Sequence, residues 1–422
     1  MSAKTKEIPL NLEKTDGRIT TSGKPSAVDK KAARGLLSAM RDAPIAFELW
    51  DGECIQTCEE SPEVVLKIKN RKTLWGLVSN PDLRLGEAYS LGELDVEGDI
   101  VRLIEMSTTH RADFQTDRST LGKALRAIGR ARPNSLSGSK SNIHHHYDLS
   151  NDFYRLWLDN DYMQYTCAYF ESSDQTIEQA QKAKLDYVCR KLRLQAGDDV
   201  VEAGCGWGGL GLYMAREYGA KVRAYNISHE QIKFAHATAR KEGLQDRVRY
   251  IEDDYRNAEG TCDVFVSVGM LEHVGTDNYE TLGSVIDKCL REEGRGMIHS
   301  IGRNRPRPMN RWIEKRIFPG AYPPTIKEMM DIFEPFNFSV LDIENLRLHY
   351  AKTLEHWLRS YEDNVSAVEQ MFDETFVRAW RLYLSGSIAA FRTGELQLFQ
   401  LLFNRGSDNH VPWSRGYMYN SG

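Results

Sequence analysis

A chain of 422 residues is longer than one ordinary hydrophobic core organises, so two domains are expected. With 41% apolar and 27% charged residues the composition is globular, which excludes a disordered or collagen-like chain. The net charge of −5 neither favours nor excludes a nucleic-acid partner, and seven cysteines, of which only Cys54 and Cys58 are close, complete no zinc site and read as reduced thiols.

Residues 1–30 are polar and are expected to be disordered. No apolar stretch of the signal-peptide kind follows Lys4, Lys6 and Glu7, and no uncharged window of about 18 residues marks a membrane span. A small α/β domain is expected over 31–114. It opens with a helix at Ala32–Met40, followed by strand-like runs at Ile45–Leu49, before the Asp51-Gly52 turn, and at Val64–Ile68. Gly76, Gly86, Gly92 and Gly98 read there as tight turns. Nothing in this domain looks catalytic.

Residues 115–142 read as a linker. Arg118–Arg132 is basic, with Leu121, Leu125 and Ile128 at helical spacing, which suits either an interdomain helix or a helix lying on an anionic lipid surface. Pro133–Asn142 is rich in Ser, Gly and Asn and is expected to be flexible.

From 143 to 415 strand-type and helix-type segments alternate. Strands are expected at Val200–Ala203, Lys221–Ile227, Val248–Glu252, Asp263–Val268 and Gly296–Ile301. Helices are expected at Leu210–Tyr218, Glu230–Glu242 and Tyr279–Leu290. This rhythm predicts a mostly parallel sheet with helices on both faces. Phe338–Leu346 is strand-like, Leu354–Phe391 is helical, and Glu395–Asn404 suits a late antiparallel strand.

The strongest local signal is Glu202-Ala203-Gly204-Cys205-Gly206-Trp207-Gly208-Gly209, which follows a strand and opens a helix. Glycines there allow a tight turn and close backbone approach to a ligand. The spacing, with an acid two residues before the first glycine, resembles the S-adenosylmethionine loop of Rossmann-like methyltransferases. Asn226 stands where many such enzymes carry an acid for the ribose hydroxyls, and an amide can bond them too. Asp254, after the third strand, could bond the adenine amino group.

Several further segments stand in order: His146-Tyr147-Asp148-Leu149-Ser150-Asn151-Asp152-Phe153-Tyr154, Met163-Gln164-Tyr165-Thr166-Cys167-Ala168-Tyr169-Phe170, Asn226-Ile227-Ser228-His229-Glu230-Gln231, Asp254-Tyr255-Arg256, Ser267-Val268-Gly269-Met270-Leu271-Glu272-His273-Val274-Gly275 and His299-Ser300-Ile301-Gly302. Together with the glycine loop they resemble the cyclopropane fatty acid synthases, which include the mycolic acid cyclopropane synthases. The resemblance spans roughly residues 143 to 415. In the first domain, Gly86-Glu87-Ala88-Tyr89 with Gly92, Asp95 and Gly98-Asp99 resembles the amino-terminal domain of the phospholipid-acting branch.

The resemblance implies an α/β class I methyltransferase fold, Rossmann-like, with a mostly parallel seven-stranded sheet and an antiparallel last strand, beside the smaller α/β domain. It implies S-adenosylmethionine as cofactor, held by Tyr147 and Tyr165 as a lid with Glu202, Gly204, Gly206, Asn226, Ile227, Gln231 and Asp254. It also implies a bicarbonate ion at the reaction centre, held by Cys167, Glu272, His299, the backbone of Ile301, and Tyr350. No metal is expected, because nothing spaced to join the run His144-His145-His146 completes a site. Alone, Cys167 reads as a small buried hydrophobe and His299 as a satisfied core residue.

An alkene attacks a sulfonium methyl only when the two are held in line and dry. Attack leaves a carbocation, which aromatic faces stabilise; Tyr147, Tyr165, Tyr169, Phe170 and Tyr350 are the candidates. Loss of a proton from the new methyl closes a ring, and a different quench gives a methyl or methylene branch. Glu272 and bicarbonate are both anionic, so a proton shared between them is expected. The basic stretch Arg303–Arg311 reads either as a phosphate grip or as a solvated loop. The expected partner is a phospholipid surface with unsaturated acyl chains, reached from the cytoplasmic face as a peripheral protein, with a homodimer expected and no nucleic acid. A catalytically dead lipid-binding protein is the contrasting reading, and the intact loop glycines and site residues speak against it.

Overall fold

The computed structural model describes residues 23–40, 43–109 and 149–419. The expectations placed on 1–22, on the 118–132 helix, on the 133–142 stretch, on His144–His146 and on Tyr147 lie outside the described residues.

The chain forms two compact units, and neither is continuous. The first joins the described part of Met1–Gly129 to Met309–Pro319 and Trp357–Thr393. Its sheet has the order β2-β1-β3-β4, from β1 (Ile45–Glu48), β2 (Cys54–Gln56), β3 (Val64–Ile68) and β4 (Leu94–Glu97). In β3, Val64, Leu66 and Ile68 are buried and Val65 and Lys67 less so, the alternation expected of a strand with one face on a core.

This arrangement corrects the expectation of one uninterrupted domain over 143–415. The helix Glu374–Arg392 buries Phe376, Trp380, Leu384, Ile388 and Phe391 on one stripe, and it packs on the helices Pro81–Ser90 and Ile100–Thr109. Arg378 on that helix donates to the carbonyls of Tyr89 and Leu94 and to Asp95 at 2.6, 2.9 and 2.7 Å. The reading of Gly86 as a turn is corrected as well. Gly86 lies inside a helix, where a Cβ would come within 2.3 Å of the Trp312 ring. It is a close-packing glycine.

The second unit joins the described part of Arg130–Pro308 to Gly320–His356 and Gly394–Gly422. Its seven strands are β5 (Asp199–Ala203), β6 (Lys221–Asn226), β7 (Val248–Glu252), β8 (Cys262–Val268), β9 (Leu290–Gly302), β10 (Phe338–Asn345) and β11 (Gln397–Arg405), in the order β10-β11-β9-β8-β5-β6-β7. Strands β7, β6, β5, β8 and β9 run parallel, and β11 runs antiparallel to both β9 and β10. The expected class I methyltransferase sheet is therefore present. Val200, Val201 and Ala203 are wholly buried, because helices cover both faces of a parallel strand. The functional end is the carboxyl edge of β5, β6, β8 and β9, where open α/β sheets form their ligand crevice.

Candidate functional site

The turn after β5 is shaped by backbone requirements. Gly204 has φ +84°, a left-handed conformation, and a Cβ there would stand 2.8 Å from Met270. The Gly204 and Cys205 amides both donate to the Tyr225 carbonyl, at 2.9 and 3.1 Å, which pins the loop to β6. Gly206 has φ +54°, and a Cβ there would meet nothing within 4 Å, so its backbone faces open space.

That open space is a cleft with two adjoining parts, which share Gly204, Asn226, Met270 and His273. One part is lined by Gln164, Tyr165, Thr166, Glu202, Gly204, Gly206, Asn226, Gln231, Met270 and His273, among others. The other is lined by Gly204, Asn226, Ile227, Asp253, Asp254, Met270 and His273, among others. Every described residue expected at the cofactor, from Tyr165 to Asp254, therefore lines this one cleft.

Local hydrogen bonds set these side chains. The Asn226 amide donates to the Gly206 carbonyl at 3.2 Å and to Gln231 Oε1 at 2.8 Å, and its oxygen accepts the Ser228 amide at 3.2 Å. Asp254 caps Arg256 through its backbone amide at 3.0 Å and pairs with its guanidinium at 2.7 Å. Tyr165 packs on Tyr154 and Trp157, with centroids 5.6 and 5.2 Å apart.

The second expected group is carried by the loop after β8, by β9, by the segment around Cys167 and by the helix that starts at Arg347. Glu272 is buried, in the loop after β8, and its Oε1 accepts the Ile301 amide at 2.5 Å. Its Oε2 has no partner among the described residues. Burial pushes this carboxyl up to about 7. The Ile301 amide, whose backbone was expected at the ion, is engaged by Glu272 itself. His299 is buried in β9, accepts or shares a bond with Gln400 at 3.1 Å through Nδ1, and leaves Nε2 without a partner among the described residues. Burial lowers it to about 3, so the ring is neutral.

Cys167 is fully buried, and its thiol donates to the Ala168 carbonyl at 3.1 Å. Burial pushes the thiol far above its ordinary range, so it is neither a thiolate nor a nucleophile. Its sulfur lies 3.9 Å from the Leu346 carbonyl, which also receives the Tyr350 amide one helical turn later. Two aromatic candidates are otherwise engaged. Tyr169 stacks on both Tyr187 and His349, at 4.3 and 4.9 Å, and Phe170 carries the Lys352 ammonium over its ring at 4.6 Å. The arginine stretch is in part structural: Arg303 is buried and donates to the carbonyls of Arg307 and Pro308 at 2.7 and 3.0 Å, and Arg307 pairs with Glu395.

Sequence reasoning missed the buried cation at this centre. Lys184 donates to Gln164 Oε1 at 2.5 Å and to Thr166 Oγ1 at 2.8 Å, and it acts electrostatically on Cys167, Glu202 and His299 alike. Burial pushes Glu202 up to about 8, with Lys184 pulling the other way. The signal was available: Gln181, Lys184 and Lys191 recur at helical spacing on the apolar face of the helix Ile177–Lys191.

Comparison with known proteins agrees with this geometry. The family model described as mycolic acid cyclopropane synthetase matches residues 134–401, and a domain of unknown function matches residues 33–119. A probable fatty acid methyltransferase of Pseudomonas putida is 38% identical over 89% of this chain and 96% of its own length. The cyclopropane-fatty-acyl-phospholipid synthase of Escherichia coli strain K12 is 36% identical over 83% of this chain and 90% of its own length. Among solved structures, the mycolic acid cyclopropane synthase CmaA1 complexed with SAH and CTAB superposes with a TM-score of 0.60 at 29% identity, covering 63% of this chain and 98% of that one.

Proposed function

The chain belongs to the mycolic acid cyclopropane synthetase family and is an S-adenosylmethionine-dependent methyltransferase, and from that premise we propose that it converts the cis double bond of an unsaturated phospholipid acyl chain into a cyclopropane ring. The observation that carries this reading is a pair of buried polar atoms, Glu272 Oε2 and His299 Nε2, that have no hydrogen-bond partner among the described residues. The choice of an intact phospholipid is supported by the Escherichia coli relative, whose match runs over most of the chain, the first unit included.

S-adenosylmethionine supplies, when bound, a methyl group on a positively charged sulfur. Gly204 and Gly206 let the backbone approach it, and Asn226, Gln231 and Asp254 line its site. That methyl would pass to an alkene carbon as its bond to sulfur breaks, leaving positive charge on the acyl chain. Loss of one proton from the new methyl closes the ring, for a net gain of CH₂. Tyr165, packed but still lining the cleft, offers an aromatic face to the cation. The bicarbonate ion implied by the family resemblance would be held by Cys167, Glu272, His299 and Tyr350, and would supply a base. The residues fit such an anion, because burial raises Glu272 to about 7, so that near neutral pH it has a proton to share with the ion. Ile301 serves by fixing Glu272.

The substrate would be met at the cytoplasmic face of a membrane. No described helix is long and apolar enough to cross one. The first unit would dock lipid or a second copy of the chain in a homodimer. A second reading, a methyl- or methylene-branched product, is favoured by the Pseudomonas putida relative's name. The test is incubation with unsaturated phospholipid vesicles and S-adenosylmethionine, followed by mass and proton NMR of the released acyl chains. A gain of CH₂ with ring protons supports the ring, the same gain with a branch supports the second reading, and no gain overturns both.

A further inference from the structure

We infer that Lys191, acting through Gln400, locks the His299 ring in the tautomer that carries its proton on Nε2, so that His299 is a fixed hydrogen-bond donor in the site and not its base. The lock is read from geometry alone; its use in the reaction rests on the lipid methylation proposed above.

Three residues form one row across three strands. Glu344 of β10 stands opposite Gln400 of β11, and Gln400 stands opposite His299 of β9. Paired residues of this kind project on the same face of a sheet, within reach of each other. Lys191, at the end of the helix Ile177–Lys191, reaches into the row. Its Nζ lies 2.5 Å from Glu344 Oε2, 2.8 Å from Gln400 Oε1 and 4.6 Å from the centre of the Tyr187 ring. The Tyr187 hydroxyl donates to the same Glu344 oxygen at 2.9 Å. Lys191 itself is almost wholly buried.

The proton assignment follows by elimination. An ammonium group has donors and no acceptor, so the Gln400 atom that faces it must be the carbonyl oxygen. The amide nitrogen is then left facing His299 Nδ1, at 3.1 Å. An amide nitrogen only donates, so Nδ1 must accept. A neutral imidazole with an accepting Nδ1 carries its proton on Nε2. Burial keeps the ring neutral, down to acid pH. Nε2–H is the atom left without a partner among the described residues. Glu344 completes the device by holding the Lys191 charge in place, against the burial that disfavours it. Gln400 and Lys191 are therefore positioning residues, one and two hydrogen bonds removed from the His299 ring.

The test reads the tautomer directly. Full-length protein is labelled with nitrogen-15 histidine, and long-range proton–nitrogen spectra are recorded, with the His299 signals identified by their loss in His299→Gln. The expected spectrum has a protonated Nε2 and an unprotonated Nδ1, and an Nδ1–H in the wild type overturns the lock. Gln400→Glu replaces the donor by a carboxylate that can only accept, so the proton is expected to appear on Nδ1, with kcat reduced about tenfold or more and KM for S-adenosylmethionine little changed. An unmoved His299 spectrum in this variant overturns the role of Gln400. Lys191→Met frees the amide to turn and is expected to give mixed tautomers; a pure wild-type pattern there overturns the role of Lys191. If a variant fails to fold, the wild-type spectrum still decides the tautomer. A wild type with Nε2–H but no lipid methylation defeats the proposed function and leaves the lock standing.

Discussion

The Glu272 carboxylate and the Ile301 amide meet at 2.5 Å, joining the loop after β8 to the end of β9. The contact fixes one oxygen of a buried acid and leaves the other without a hydrogen-bond partner among the described residues. Glu272→Gln keeps the shape and removes the titration. The variant is expected to bind S-adenosylmethionine within a few-fold of wild type and to lose turnover about a hundredfold or more. Calorimetry and acyl-chain mass spectrometry check the two halves, and full turnover would remove Glu272 from the mechanism.

The same residue makes stability depend on pH. Burial raises its pKa from 4.5 to about 7 in the folded chain, so folding favours the protonated form. Its contribution is full below the unfolded value and is lost as pH rises through about 7. Denaturant titrations of the ligand-free protein between about pH 5 and pH 8 should show the wild type losing more stability than E272Q, by roughly 3 kcal/mol at most. Parallel curves would place the Glu272 carboxyl in a wetter setting than the structure gives it.

Gly204→Ala forces a side chain onto a left-handed backbone, 2.8 Å from Met270. The strain is of the order of 1–3 kcal/mol, and the loop is expected to relieve it by leaving the cofactor cleft. Affinity for S-adenosylmethionine should fall by about tenfold or more, with the melting temperature also lowered. Unchanged affinity would show that the loop does not set the cofactor site.

Lys184 is wholly buried and holds Gln164 and Thr166, which both line the cleft. Asp159 is fully buried and is attracted electrostatically by Lys184, so Lys184→Met leaves it without that buried counter-charge, and such a loss costs about 3–5 kcal/mol. The variant should unfold at lower denaturant and bind S-adenosylmethionine more weakly. A stability within about 1 kcal/mol of wild type would mean that Asp159 takes up a proton in compensation.

Arg378 ties its helix to the Tyr89 and Leu94 carbonyls and to Asp95, and it lies over the Tyr89 ring at 4.2 Å. Arg378→Ala removes charged hydrogen bonds and packing together, and should cost about 2–3 kcal/mol. Deleting residues 1–114 is expected to leave an insoluble chain, because it strips the partners from the apolar stripe of Glu374–Arg392. A soluble, active truncation would show that this stripe finds another cover.

The parallel sheet was legible because its strands are continuous apolar runs between helical periods; β7 was read to the residue, and β9 only over its buried half, since Arg291 to Glu293 carry no strand pattern. The residues that line the cleft were legible because they sit in compact motifs at strand ends. The row from Glu344 to His299 was not, because register between strands far apart in the chain decides it. The first unit was misjudged for a related reason. A glycine at 86 looks the same in sequence whether it turns the chain or makes room for Trp312.

The interleaving of the first unit has a bearing on how the chain is made. On the ribosome the segment through Thr109 emerges early, yet the helix that covers it ends at Arg392. At about 5–20 residues per second, synthesis of the intervening stretch takes tens of seconds. During that interval the nascent helices Pro81–Ser90 and Ile100–Thr109 carry apolar surface with its eventual cover still untranslated. The second unit, whose β5 to β9 arrive as neighbours, can begin to assemble meanwhile. A helix translated long after Thr109 thus completes the core of the first unit.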